Sequence, residues 1–133
     1  MEAVRSVDIF FPNQKEASAM TGERDALRIL ERFRDEGVKA VVLKLGSRGA
    51  GMLWQDRISF TERYSVDPVD TTGAGDCFDA GFLDAWLRSE DAETCLRAGA
   101  ICGALSTEAM GGIGGFPSRE RLETELHKAE CAK

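Results

Sequence analysis

Histidine occurs once in this chain, and its 17 lysines and arginines, set against 23 acids, gather nowhere into a cluster. A formal net charge of −6 without a basic patch excludes a surface built for the nucleic-acid backbone. A nucleotide can then bind only locally, through dipoles and metal. Cys77, Cys95, Cys102 and Cys131 have no Cys-x-x-Cys spacing, which argues against a thiolate metal site. The first three fall at apolar helical positions and read as small buried side chains in a reducing compartment. No apolar run approaches the length of a membrane span and no secretory pattern opens the chain, so no membrane partner and a cytoplasmic setting are expected. Repeats, linkers and low-complexity segments are also missing. The lone histidine, His127, falls on an amphipathic terminal stretch and reads as a surface residue.

What is present is a chain of 133 residues, 43% hydrophobic and 30% charged, long enough for one core and too short for two ordinary domains. Periods of 2 and 3.6 alternate along it, the mark of an α/β fold. Val7 to Phe11 is apolar around Asp8 and stops at Pro12, which predicts a buried strand. A short helix follows from Lys15 to Met20, closed by Thr21-Gly22. From Arg24 to Glu36, Leu27, Leu30 and Phe33 are expected to form a buried stripe, with Arg28, Glu31, Arg32 and Asp35 solvated. Lys39 to Leu45 reads as a strand covered on both faces, Gly51 to Trp54 as another, and Gln55-Asp56 as the turn of a hairpin to Arg57–Thr61. Tyr64 to Pro68 is irregular. Helices are then expected from the glycine motif to about Arg88, from Ala92 to about Thr107, and from Ser118 onward, the last two joined by a flexible Gly111-to-Gly115 connection. Leu96, Gly99, Ala100, Gly103 and Thr107 give the second of these a small-residue face. Trp54, Trp86 and the phenylalanines read as core.

The chemistry sits in Asp70-Thr71-Thr72-Gly73-Ala74-Gly75-Asp76-Cys77-Phe78. An extended segment turns into a helix there, and the free N–H groups and positive dipole end of a first helical turn favour a phosphate. Gly73 and Gly75, with only Ala74 between them, let backbone approach that phosphate closely. A carboxylate beside a phosphate repels it unless it has a task, and the task open to Asp76 is to take the proton of the attacking group. The plainer reading makes Asp76 a first-turn acid that complements the helix dipole. That same dipole favours the ionised form a base needs. Asn13 and Glu16 have the spacing of a capping box, and Gly46-Ser47-Arg48-Gly49 that of a turn at a strand end.

Asp70 to Phe82 resembles the second signature of the ribokinase-like (PfkB) carbohydrate kinases, in which Asp-Thr-x-Gly-Ala-Gly-Asp begins a helix. Asn13-x-x-Glu16, Lys44-Leu45-Gly46-Ser47-Arg48-Gly49 and the small-residue helix ending in a glycine-rich turn follow that family's order from Pro12 to Pro117. The resemblance implies a ribokinase-like, Rossmann-like layered α/β fold and ATP-dependent phosphorylation of a sugar hydroxyl. Asp76 would be the general base, and the backbone from Gly73 through Ala74 and Gly75 to Asp76 the anion hole. It further implies that Glu16 holds Mg2+ through water, that Asn13 contacts nucleotide phosphates, and that Gly46, Ser47 and Gly49 border the nucleotide. Lys44, where relatives often carry Thr or Ser, either reaches phosphate or is solvated. A monovalent-cation loop, for an ion such as K+, is implied at Asp70 and the carbonyls of Thr72, Ser106, Ala109 and Gly111, with Gly115 near by.

The departures matter as much. The family's diglycine signature, its sugar contacts and its lid are not visible, so the chain reads as a single partial domain, the C-terminal nucleotide-binding half of a kinase. Ala100 stands where relatives often carry Asn beside the nucleotide. The expected ligands are a nucleotide and a small sugar, with self-association through an exposed edge or apolar face. The alternative is a catalytically silent nucleotide-binding or interaction module of the same fold. A dinucleotide-binding domain is disfavoured, because the glycine motif does not follow the first strand.

Overall fold

The structure is a computed structural model that describes residues 1–111 and 114–131. Its contacts divide it into two compact units, one ending at Arg63 and the other beginning at Tyr64.

The first unit opens with a short helix, α1 (Glu2–Arg5), and continues through α2 (Gln14–Thr21) and α3 (Ala26–Asp35) into an antiparallel sheet of β1 (Ala40–Lys44), β2 (Ala50–Trp54) and β3 (Arg57–Thr61), in that order. Gln55 and Asp56 both take positive φ, 49° and 62°, and so make the tight two-residue turn that the twist of a hairpin favours. The register runs from Ala40 opposite Trp54 to Lys44 opposite Ala50, and from Ala50 opposite Thr61 to Trp54 opposite Arg57. Between the first two strands, Gly46–Arg48 forms one turn of 3-10 helix. β1 is buried from Ala40 to Leu43, as a strand covered on both faces should be.

Two expectations change here. Val7 to Phe11 is not a regular strand: the chain runs parallel to β1 through isolated bridges at Phe10–Val41 and Asn13–Lys44. Pro12 contributes a carbonyl, accepting from Lys44 N–H at 2.9 Å, but has no N–H to continue a ladder. Val7 and Asp8 lie exposed ahead of it. On α3 the buried stripe is Ile29, Leu30 and Phe33, with Ala26 half-buried, whereas Leu27 is 44% exposed. Positions 26, 29, 30 and 33 stay on one face at 100° per residue, while a 27, 30, 33 series drifts around the helix. These side chains meet Val38, Val41, Leu43 and Leu53 to form the unit's core.

In the second unit an irregular lead-in is followed by α4 (Ala74–Leu87), α5 (Ala92–Ser106) and α6 (Arg119–Cys131). α4 buries Cys77, Phe78, Gly81, Phe82 and Ala85. Its partner α5 buries Cys95, Leu96, Ala98, Gly99, Ile101, Cys102, Gly103 and Leu105. Glycine makes the approach close, since a Cβ at Gly99 would stand 2.9 Å from the Phe78 ring. Three of the four cysteines are buried and Cys131 is exposed. Of the residues read as core, Trp54 and Trp86 are half-buried, and Phe60 and Phe116 are exposed. Ser118 caps α6, its Oγ accepting from Arg121 N–H at 3.2 Å, and Arg119 pairs with both carboxylate oxygens of Asp84. The expected Gly111–Gly115 connection falls in part, at Gly112 and Ile113, outside the described residues. No described helix is long and apolar enough to cross a membrane.

Candidate active site

In the second unit, the segment before α4 is fixed at its base by one carbonyl. Thr107 O, at the end of α5, accepts from both Val69 N–H (2.6 Å) and Asp70 N–H (3.0 Å). The Asp70 carboxylate then organises what surrounds it. Oδ1 accepts from Thr72 N–H (2.9 Å) and Thr72 Oγ1 (2.6 Å), and Oδ2 accepts from Gly111 N–H at 2.9 Å. The Thr72 hydroxyl first, then the Gly111 and Thr72 amides, hold the Asp70 pKa down at about 2, because each bond favours the ionised form. Gly115 meets the same region by close backbone approach, for a Cβ there would stand 2.2 Å from Ser106 O. Asp70, Thr72 and Gly111 are thus joined by hydrogen bonds, Ser106 and Gly115 by contact, and Ala109 lies half-buried beyond the end of α5.

Three residues on, Gly73 takes φ 74° as the N-cap of α4, a left-handed conformation that suits glycine. The N–H of Ala74 turns back to Thr71 O at 3.2 Å. Among the described residues no protein acceptor takes the N–H groups of Gly73, Gly75 or Asp76. Of these four amides, that of Ala74 is the one with a protein acceptor among the described residues. Asp76 is exposed in this first turn, and no arginine is paired with it among the described residues. The turn is backed by α5: a Cβ at Gly103 would lie 3.1 Å from Ala74 O and 3.3 Å from Phe78 Cβ.

The first unit carries its own candidates. Asn13 caps α2 through a full capping box, with Glu16 N–H donating to Asn13 Oδ1 at 2.9 Å and Asn13 N–H to Glu16 Oε2 at 2.9 Å. The cap leaves Glu16 Oε1 without a protein partner among the described residues, on an exposed side chain. Lys44 ends β1 half-buried. Beyond it Gly46 (φ 59°) and Gly49 (φ 89°) bracket the exposed Ser47, and Leu45 N–H donates to Gly49 O at 3.0 Å. Gly49 admits no side chain, because a Cβ would fall 2.1 Å from Thr61 O. Arg48 reaches back to the amide oxygen of Gln14, tying this turn to α2.

Among the described residues, no group of three or more His, Cys, Asp or Glu gathers as a metal site. The sequence did not expose the part played by Thr107, whose contribution is a main-chain oxygen acting on residues far away in the chain. Tyr64 was also missed: its hydroxyl donates to Glu125 on α6. Burial and then that acidic partner raise the phenol to about 12.

Known proteins share this arrangement of elements. Ribokinase of Haemophilus influenzae is 31% identical over 132 residues, covering 95% of this chain and 43% of that protein. Arabidopsis thaliana ribokinase complexed with ribose and ATP superposes with a TM-score of 0.85 at 33% identity, over 94% of this chain and 42% of the other. A double mutant of Vibrio cholerae fructokinase, in a form bound to fructose, ADP and potassium ion, gives a TM-score of 0.83 at 26% identity, over 95% and 43%. The chain therefore has the ribokinase fold and spans about 43% of the length of such a relative. The family of pfkB carbohydrate kinases matches residues 1–119, a stretch that runs through both units and includes every candidate above, and to that family the chain belongs.

Proposed function

We propose that this chain is the nucleotide-binding, proton-abstracting portion of an ATP-dependent kinase that phosphorylates a hydroxyl of a sugar or sugar-like acceptor. One observation carries the reading: amides of Gly73, Gly75 and Asp76 free of protein acceptors, at a helix N-terminus that also presents an exposed carboxylate. Asp76 accepts the acceptor hydroxyl's proton as its oxygen attacks the γ-phosphorus of ATP. The open amides and the α4 dipole stabilise charge on the transferring phosphoryl oxygens, which needs no rearrangement because Gly73 and Gly103 already set the turn. In the first unit, Asn13, Lys44, Gly46, Ser47 and Gly49 are the proposed nucleotide contacts. Both units are proposed as parts of one kinase domain, a reading supported by a family match that runs through them.

Glu16 would hold Mg2+ through water by its open Oε1, and bound Mg2+ neutralises charge on the β- and γ-phosphates. Asp70, held ionised, with the carbonyls of Thr72, Ser106, Ala109 and Gly111 and with Gly115 beside Ser106, suits a monovalent cation such as K+. The second reading is a module of the same fold that binds nucleotide without turnover.

The test measures ATP turnover over a panel of sugars, with nucleotide affinity recorded alongside. We expect Asp76→Asn to lower kcat by about 10²–10⁴-fold while nucleotide affinity stays within a few-fold. Nucleotide binding without turnover on any sugar would establish the silent module instead, and turnover unchanged in Asp76→Asn would remove the carboxylate from the mechanism.

A further inference from the structure

The C-terminal end of α6 carries a pair of side chains that the kinase chemistry does not use. His127 and Cys131 are one helical turn apart, both exposed, with Cys131 Sγ 3.8 Å from His127 Nε2. An imidazole nitrogen and a thiolate sulfur bound to one tetrahedral zinc, at about 2.0 and 2.3 Å, lie about 3.6 Å apart. The two donors therefore already stand at nearly the spacing a shared metal requires, and an i, i+4 placement on a rigid helix holds them there.

We propose that His127 and Cys131 form a bidentate site for a borderline-soft divalent cation of the Zn2+ class, distinct from any Mg2+ at the nucleotide. Imidazole with thiolate favours such ions over Mg2+ or Ca2+, which prefer oxygen. No third His, Cys, Asp or Glu joins the pair among the described residues, so water fills the remaining positions. Binding releases the thiol proton to solvent as the sulfur–metal bond forms, with no change in oxidation state. The other three cysteines, Cys77, Cys95 and Cys102, are buried. Burial drives the thiols of Cys95 and Cys102 up to about 11 and about 12, and Cys131 is the exposed cysteine of the four.

Co2+ serves as a spectroscopic stand-in for zinc, because a cobalt–thiolate bond gives a charge-transfer band in the near ultraviolet. Titration of the reduced chain at neutral pH should produce a saturable band of one cobalt per chain, displaced by Zn2+. Cys131→Ser should abolish the band. His127→Asn should weaken binding by at least about tenfold, since loss of even an outer partner of a metal ligand costs that much. Both positions are exposed, so helicity by circular dichroism should be unchanged. Absence of a band, its persistence in Cys131→Ser, or equal affinity in His127→Asn would each overturn the proposal. Nucleotide affinity, read in parallel, reports separately on the kinase reading.

Discussion

Asp70 is an acid held by one neighbouring hydroxyl and two backbone amides, and that gives it a signature in pH. Its carboxylate titrates near 2 in the folded chain, and an aspartate in an unfolded chain titrates near 3.9. A depressed carboxylate stabilises the fold above the unfolded value and loses that contribution as pH falls through the folded one. The window is therefore from about pH 4 down to about 2. Asp70→Asn keeps the shape but not the charge, so parent and variant should differ in denaturation midpoint above about pH 4 and converge toward pH 2. The side chain is open to solvent, so the difference at neutral pH is expected to be small. A gap that stays constant from pH 7 to 2 would mean that the charge of Asp70 contributes nothing to the loop. The sequence marked Asp70, Asp76, Asn13 and Glu16 because each belongs to a short local pattern. It gave Thr107 and Tyr64 no part in the site because their partners lie at Val69 and Asp70 and at Glu125, far along the chain.

Among the elements, the pairing of α4 with α5 decides how the amide turn is presented. Glycine on both helices lets them approach, and the tightest place is Gly81, where a Cβ would stand 2.6 Å from Cys102 Sγ, 2.7 Å from Cys102 Cβ and 2.8 Å from Ala98 O. One of those neighbours is backbone, so the helices themselves would have to separate. Alanine improves helix propensity by up to about 1 kcal/mol, against overpacking that typically costs about 1–3 kcal/mol. Gly81→Ala should accordingly destabilise the chain by about 1–2 kcal/mol, read as a lower denaturant midpoint at unchanged m-value. A midpoint equal to or above the parent's would mean that α4 and α5 are less tightly apposed than these distances require. The small-residue face of α5 was legible because Gly99 and Gly103 repeat at helical spacing. The stripe on α3 was misread, since Leu27 looks apolar in sequence but only position 29 keeps phase with 26, 30 and 33. The strand expected at Val7–Phe11 failed for a related reason: apolar composition cannot show that Pro12 leaves bridges where a ladder was expected.

For the molecule as a whole, the apolar surface left open bears on how the chain behaves on its own. On α4, Leu83 is 39% and Leu87 81% exposed, one turn apart on the same face. An exposed leucine pair on one helix forms a patch that association can remove from water, at roughly 1.5–3 kcal/mol for each side chain fully covered. In the first unit β3 lies at the edge of the sheet, and Phe60 on it is 47% exposed. Self-association is therefore expected at micromolar concentration, and the α4 patch should drive it, because Leu87 is the most exposed of the large apolar side chains described. Replacing Leu83 and Leu87 together by Gln should shift light scattering toward the monomer. It should leave the denaturant midpoint within about 0.5 kcal/mol of the parent, as expected for surface changes away from caps and cores. Should the parent already scatter as a monomer, the patch is not adhesive. If the double variant associates as strongly as the parent, the sheet edge at β3 becomes the surface to alter, through Phe60→Lys, since a charge on an edge strand opposes pairing.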